Sequence, residues 1–153
     1  MLHALFLLIY LALFALLLSL LRLSGAAWPS HVSGLDFLLL CFATFRLTHL
    51  LTEERIARCI RAPFVVRKTI TNPDGTRKEE EEPVGHGLRR VIGELLICPW
   101  CSGVWIATLL TFFHVLVPRT AHIFLLALAT AAGAILIETI AKLFDRARAS
   151  LGG

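Results

Sequence analysis

Residues 2–21 read LHALFLLIYLALFALLLSLL, a run whose interior is interrupted only by Tyr10 and Ser19. At 1.5 Å of rise per residue, about twenty such residues cover a hydrocarbon core of about 30 Å. No Lys or Arg precedes the run, and it exceeds the ~7–15 apolar residues of a secretory signal. Although Ser24-Gly25-Ala26 has the small residues of a cleavage site, residues 1–23 therefore read as a retained anchor. Arg22 and Trp28 would then lie at the membrane–water boundary, which such side chains favour.

Three further apolar stretches follow, at about 35–51, 99–117 and 121–140. The second is the weakest span, because it is short and contains Asp36, Arg46 and His49; a re-entrant or interfacial helix is its rival. Ser33 followed by Asp36 has capping-box spacing and marks its start. Helix is expected to run on into 52–62, where Glu54 and Arg58 have i,i+4 spacing. The chain is 57% hydrophobic and 17% charged, against about 45–50% and 25% in soluble domains. In water that excess would lie in large exposed patches. The expected fold is an all-α integral membrane protein of about four transmembrane helices. It comprises the anchor at 1–23, a membrane domain at 35–140 and a basic tail at 141–153.

The one long polar segment is 52–94. Phe64–Thr71 is rich in β-branched residues, Asn72-Pro73-Asp74-Gly75 is a turn signal, and Thr76–Val84 follows. Folding about that turn sets Arg67 and Lys68 opposite Glu79–Glu82. The pairs would support a mobile two-stranded hairpin; a solvated charged loop fits the same residues. In the fourth span, Ala129 and Gly133 form a small-xxx-small pair, which predicts a hairpin of the third and fourth helices.

Cations orient the chain. Nine of the fifteen Lys and Arg residues fall in 52–94, and Lys142, Arg146 and Arg148 lie in the tail. The two short connections hold only Arg22 and Arg119. The long loop and both termini are therefore expected in the cytoplasm. Arg46, His49, the cysteine pair Cys98 and Cys101, and Glu138 then approach one membrane surface. Ionisable groups at such depth are costly unless paired or hydrated, which suggests an Arg46–Glu138 ion pair. In the alternative, Arg46 snorkels to water while Glu138 rests in the interface.

Cys98-Pro99-Trp100-Cys101 begins a helix, with proline at the first-turn position it tolerates. Free N–H groups there favour a thiolate. Three roles stay open. The pair could be structural, shaping a helix start that Trp100 and Trp105 anchor. It could be a redox dithiol exchanging with a partner or a quinone. It could be half of a zinc site, completed by Cys59, by His49 or His86, or by a second subunit. The other histidines, His3, His31, His114 and His122, share no ligand spacing. No triad order, phosphate-binding glycine loop or catalytic carboxylate pair is present. No basic patch is interleaved with aromatics as in single-strand nucleic-acid binders. The lipid bilayer is the expected partner, with a membrane protein or a second copy beside it.

Two motifs carry a resemblance. Ala43-Thr44-Phe45-Arg46-Leu47-Thr48-His49-Leu50-Leu51, with Cys98-Pro99-Trp100-Cys101-Ser102-Gly103-Val104-Trp105, resembles the family catalogued as domain of unknown function 1360. That family includes YjcA-like sporulation membrane proteins and related bacterial and phage proteins. The resemblance spans roughly Leu35 to Ile140 and leaves the first helix outside. It implies a small multi-pass protein of the bacterial inner membrane. The family-typical positions are Arg46, Thr48, Cys98, Pro99, Trp100, Cys101, Gly103 and Trp105. It implies no reaction, so a structural or interaction role is expected. A membrane thiol-disulfide oxidoreductase or metal-binding module using Cys98 and Cys101 is the alternative.

Overall fold

The computed structural model describes residues 2–25, 32–71 and 77–151. Six helices and one two-stranded sheet are found among them, in the order α1 (Leu2–Leu23), α2 (Gly34–Thr52), α3 (Arg58–Arg61), β1 (Val65–Thr71), β2 (Arg77–Pro83), α4 (Leu88–Ile97), α5 (Pro99–Leu116) and α6 (Pro118–Leu151). A single 3-10 turn, Arg55–Ala57, separates α2 from α3. Four helices, α1, α2, α5 and α6, are long and apolar enough to cross a membrane. Trp28 and the predicted turn 72–75 lie outside the described residues.

The centre of the bundle is α2, not the hairpin of the last two helices. It packs against both α5 and α6. Ala43 of α2, Ile106 and Leu110 of α5 and Leu125 of α6 form the core, with Leu39, Leu47 and Leu128 packed against them. On α6 the inward face is Ala121, Leu125 and Ala132, each fully buried. Their spacings of four and seven place them on one stripe. The expected Ala129–Gly133 contact is not the packing face: a side chain at Gly133 would meet nothing within 4 Å. The anchor α1 lies against α5 through Tyr10, whose hydroxyl shares a 2.9 Å hydrogen bond with Thr108. Tyr10 also stands edge-on to Trp105, as Phe14 does to Phe112.

At 34 residues, α6 is about 51 Å long, against about 30 Å of hydrocarbon. The tail expected after residue 140 therefore continues the same helix. Ser33 caps α2 by accepting the Leu35 N–H at 3.3 Å. Asp36 turns instead toward His114, whose Nε2 is 3.9 Å from the carboxylate.

The polar segment is more ordered than its charge suggested. Helix does not run through 52–62: α2 stops at Thr52 and Glu54 is extended. Two carboxylates at Glu53 and Glu54 oppose the negative end of the helix dipole, a reason to end it there. The hairpin forms in the expected register, with Arg67 opposite Glu81 and Lys68 opposite Glu80. Arg67 bonds Glu81 at 2.8 Å and Lys68 reaches Glu82. The hairpin is also rooted at its base. Arg61, only 3% exposed, donates to the carbonyls of Thr52 and Glu54 and pairs with Glu81 at 3.0 Å. One guanidinium thus joins the end of α2 to β2.

A second root is α4, which the reading of 52–94 as loop did not anticipate. Leu88, Val91, Ile92, Leu95 and Leu96 recur at helical spacing, with an Arg90–Glu94 pair of 3.0 Å on the outer face. The buried Gly93 lets α4 approach the hairpin base, since a Cβ there would stand 2.6 Å from the Phe64 carbonyl oxygen.

Candidate functional site

The helices α4 and α5 are separated by Cys98 alone. A following proline disfavours helical backbone at the residue before it, and Cys98 is accordingly extended at φ −95°, ψ 105°. This makes Cys98 the N-cap of α5, its Sγ accepting the Cys101 N–H at 3.3 Å. Ser102, buried beneath, donates its hydroxyl to the Leu95 carbonyl and so satisfies an orphan acceptor at the end of α4. The hydrogen bond from the Cys101 thiol holds the Cys98 thiol below its ordinary range; burial opposes this, and the N–H groups of Cys101 and Trp100 reinforce it. Both thiols are free.

At this same end of the bundle four ionisable side chains meet. Arg46 binds both carboxylate oxygens of Glu54. His49 lies between the carboxylates, its Nε2 3.0 Å from Glu53 and its Nδ1 3.7 Å from Glu54. The Arg46 guanidinium keeps the Glu54 carboxyl below the usual carboxylate range, aided by His49 and opposed by partial burial. The Arg46–Glu138 pair is therefore corrected. Chain reversal at residue 53 brings Glu54 to Arg46, whereas Glu138 meets Lys142 one turn along α6 at 2.6 Å, with both side chains 64% exposed.

Between α2 and α5 runs an open groove of about 630 Å³. Cys41, Phe45 and Thr48 form one wall, Trp100, Gly103 and Val104 the other, and His49 and Glu53 lie at one end. Four family-typical positions thus converge: Thr48, Pro99, Trp100 and Gly103 border one space. A fifth, Trp105, faces α1 through Tyr10 instead.

The metal ligands do not assemble. Among the described residues no three His, Cys, Asp or Glu side chains come together as a metal site. Cys59 is exposed and bonds the Ile56 carbonyl, and His86 is exposed beyond the hairpin. Zinc at Cys98 and Cys101 would need ligands from another chain.

Both quoted motifs therefore lie on facing helices of one site, within a region that matches as a whole. The family described as a protein of unknown function, DUF1360, matches residues 39–141. The chain belongs to the DUF1360 family. It is 38% identical over 109 residues to the sporulation protein YjcA of Bacillus subtilis (strain 168), covering 71% of this chain and 92% of that one. It is 35% identical over 109 residues to UPF0713 protein YngL of the same organism, covering 71% and 80%. No solved structure matches it. For this DUF1360 chain, Glu53 was missed in the sequence, Glu54 was paired there with Arg58 instead of Arg46, and Arg61 was missed as well. The paired carboxylates at a helix end were the available signal for the first two. Arg61 gave none, because its acceptors meet it only once the chain turns after Thr52 and β2 folds back against β1.

Proposed function

We propose that this protein is a multi-pass component of the bacterial inner membrane that holds a folded polar platform at the cytoplasmic surface for a protein partner. Four apolar helices and the bacterial relatives support the membrane assignment. The concentration of cations in 52–94 and after residue 140 supports cytoplasmic termini.

The observation that carries the platform is the buried Arg61. An isolated hairpin is marginal in water, yet this one is bound at its base to α2 by a guanidinium with acceptors at Thr52, Glu54 and Glu81. A rigid polar element fixed to a membrane helix suits recognition, because less ordering entropy is lost on binding. A photo-crosslinker at the exposed Val66 tests this in cells. A discrete, saturable adduct that disappears in Arg61→Met supports the platform; diffuse labelling unchanged by that variant defeats it. Reporter fusions in the 72–76 segment and after residue 153 test the orientation, and both should report the same compartment.

A second reading, thiol–disulfide chemistry, would use the free Cys98 and Cys101, of which Cys98 caps α5. Alkylation in intact cells, with and without reductant, tests it. Thiols whose labelling never responds to reductant would exclude that role.

A further inference from the structure

The groove between α2 and α5 follows α2 from Cys41 to Glu53, about 18 Å along the helix axis. It is open because Gly103 has no side chain; a Cβ there would meet only the Thr48 Oγ1, at 3.8 Å. Its outer rims, Trp100 and Val104, are 88% and 54% exposed. A channel open sideways along two spanning helices is reached from the bilayer, not from water.

Polarity is confined to one end. Among the described residues no Lys or Arg lines the groove, and its one formal charge is Glu53. Nearby Arg46 is engaged by Glu54, so Arg46, Glu53 and Glu54 set one permanent cation against two carboxylates. Glu53 remains 57% exposed, with the neighbouring His49 Nε2 3.0 Å from its carboxylate. Deeper in, Thr48 is 7% exposed and its hydroxyl has no hydrogen-bond partner. Buried polar groups are nearly always paired, so this hydroxyl marks a place where an acceptor is missing. It lies five residues before Glu53, about 7–8 Å nearer the bundle centre.

We propose that the groove binds a membrane lipid with a primary ammonium headgroup. One acyl chain occupies the channel between Phe45 and Val104, the ammonium meets the Glu53 carboxylate, and the glycerol-ester region lies at the depth of Thr48. The volume is within the range of about 300–1,000 Å³ usual for small-molecule sites, and a mostly apolar lining with few polar groups is their common composition. A primary ammonium offers three donors to a carboxylate, which a quaternary one cannot. The inference rests on the bundle lying in a bilayer, which alkaline carbonate extraction checks separately.

The test reconstitutes the full chain in an equimolar mixture of phosphatidylethanolamine, phosphatidylcholine and phosphatidylglycerol with identical acyl chains. Native mass spectrometry then counts the lipids retained. The expected result is phosphatidylethanolamine retained about tenfold over the others. Glu53→Gln should abolish that preference while leaving chain retention. Gly103→Leu, which fills the channel from an open position, should abolish retention itself. A thermal melt of each variant establishes folding, and Gly103→Ala supplies a milder filling if leucine is not tolerated. Equal retention of the three headgroups, or retention indifferent to both Gly103 variants, overturns the proposal. So does an efficient disulfide between two chains carrying Val104→Cys, since a second copy would then occupy the groove.

Discussion

Arg46 and Glu54 meet guanidinium to carboxylate although eight residues separate them, because α2 ends at Thr52 and the chain doubles back. Both side chains are largely buried at the end of a helix long and apolar enough to cross a membrane, where an unpaired charge is costly. Glu54→Gln should destabilise the fold by about 1.5–3 kcal/mol, the usual worth of a hydrogen bond to a charged group. Exchange of the two residues should recover part of that loss. Thermal melts in detergent measure both, and a double exchange no better than either single variant would refute a specific pair.

The same contact sets a pH dependence. The folded-state pKa of Glu54 is lowered, chiefly by the hydrogen bond from Arg46. Its contribution is thus complete above the unfolded carboxyl pKa and is lost as pH falls through the folded one. Wild type should exceed Glu54→Gln in melting temperature most at neutral pH, with the gap closing in acid. A gap that widened on acidification would contradict this sign.

Arg61 is the residue on which the polar segment most depends. Replacing it with Met leaves the Thr52 and Glu54 carbonyls without their donor and Glu81 with Arg67 as its remaining cation. Loss of one partner from a buried charged network costs about 3–5 kcal/mol. Amide exchange should accelerate in β1, β2 and α4 while α5 and α6 keep their protection. Uniform acceleration along the chain would mean that Arg61 supports the bundle and not the hairpin alone.

Two glycines should behave in opposite ways. A methyl at Gly93 would collide with the Phe64 carbonyl oxygen at 2.6 Å and Pro83 at 2.9 Å, whereas one at Gly133 meets nothing within 4 Å. Gly93→Ala should destabilise by about 1–3 kcal/mol, as overpacking does. Gly133→Ala should be stabilising by about 0.5–1 kcal/mol through reduced backbone entropy. Denaturation of both variants side by side decides the matter, and equal effects would refute the close approach of α4.

Three of the four long helices were legible because each apolar run declares itself by length, whereas α2, short and carrying Asp36, Arg46 and His49, had an interfacial helix as its rival. The hairpin register was legible for a similar reason, since Arg67, Lys68 and the glutamate run are related through one turn. The gathering of Arg46, His49 and the cysteine pair at one end of the bundle was legible from the helix directions, but the particular partners across helices were not. Placing Arg46 beside Glu138 required knowing that Glu54 folds back, and choosing Gly133 as a contact required knowing which stripe of α6 faces α2. The helix α4 was missed for another reason: its heptad-like leucines lie among charges, which drew the segment into the loop. Of the site, Thr48, Pro99, Trp100 and Gly103 were singled out through the family resemblance, but the groove they border depends on how α2 crosses α5.

Cys98 provides the last prediction, because its geometry affects a thiol that reagents can reach. Its Sγ accepts the Cys101 N–H at 3.3 Å, and the Cys101 thiol donates to it as well, holding the Cys98 thiol below the ordinary range. Only the thiolate attacks an alkylating reagent. Iodoacetamide labelling of Cys98 should therefore persist to lower pH than labelling of a free thiol such as glutathione, and peptide mass spectrometry follows it at that residue. Cys101→Ala removes the thiol donor but keeps the backbone one, so the Cys98 midpoint should rise only part of the way. Cys101→Ser restores a donor and should bring it back down. If alanine and serine at position 101 gave the same profile, the side-chain hydrogen bond would have no part in tuning Cys98, and its reactivity would follow from the helix terminus alone.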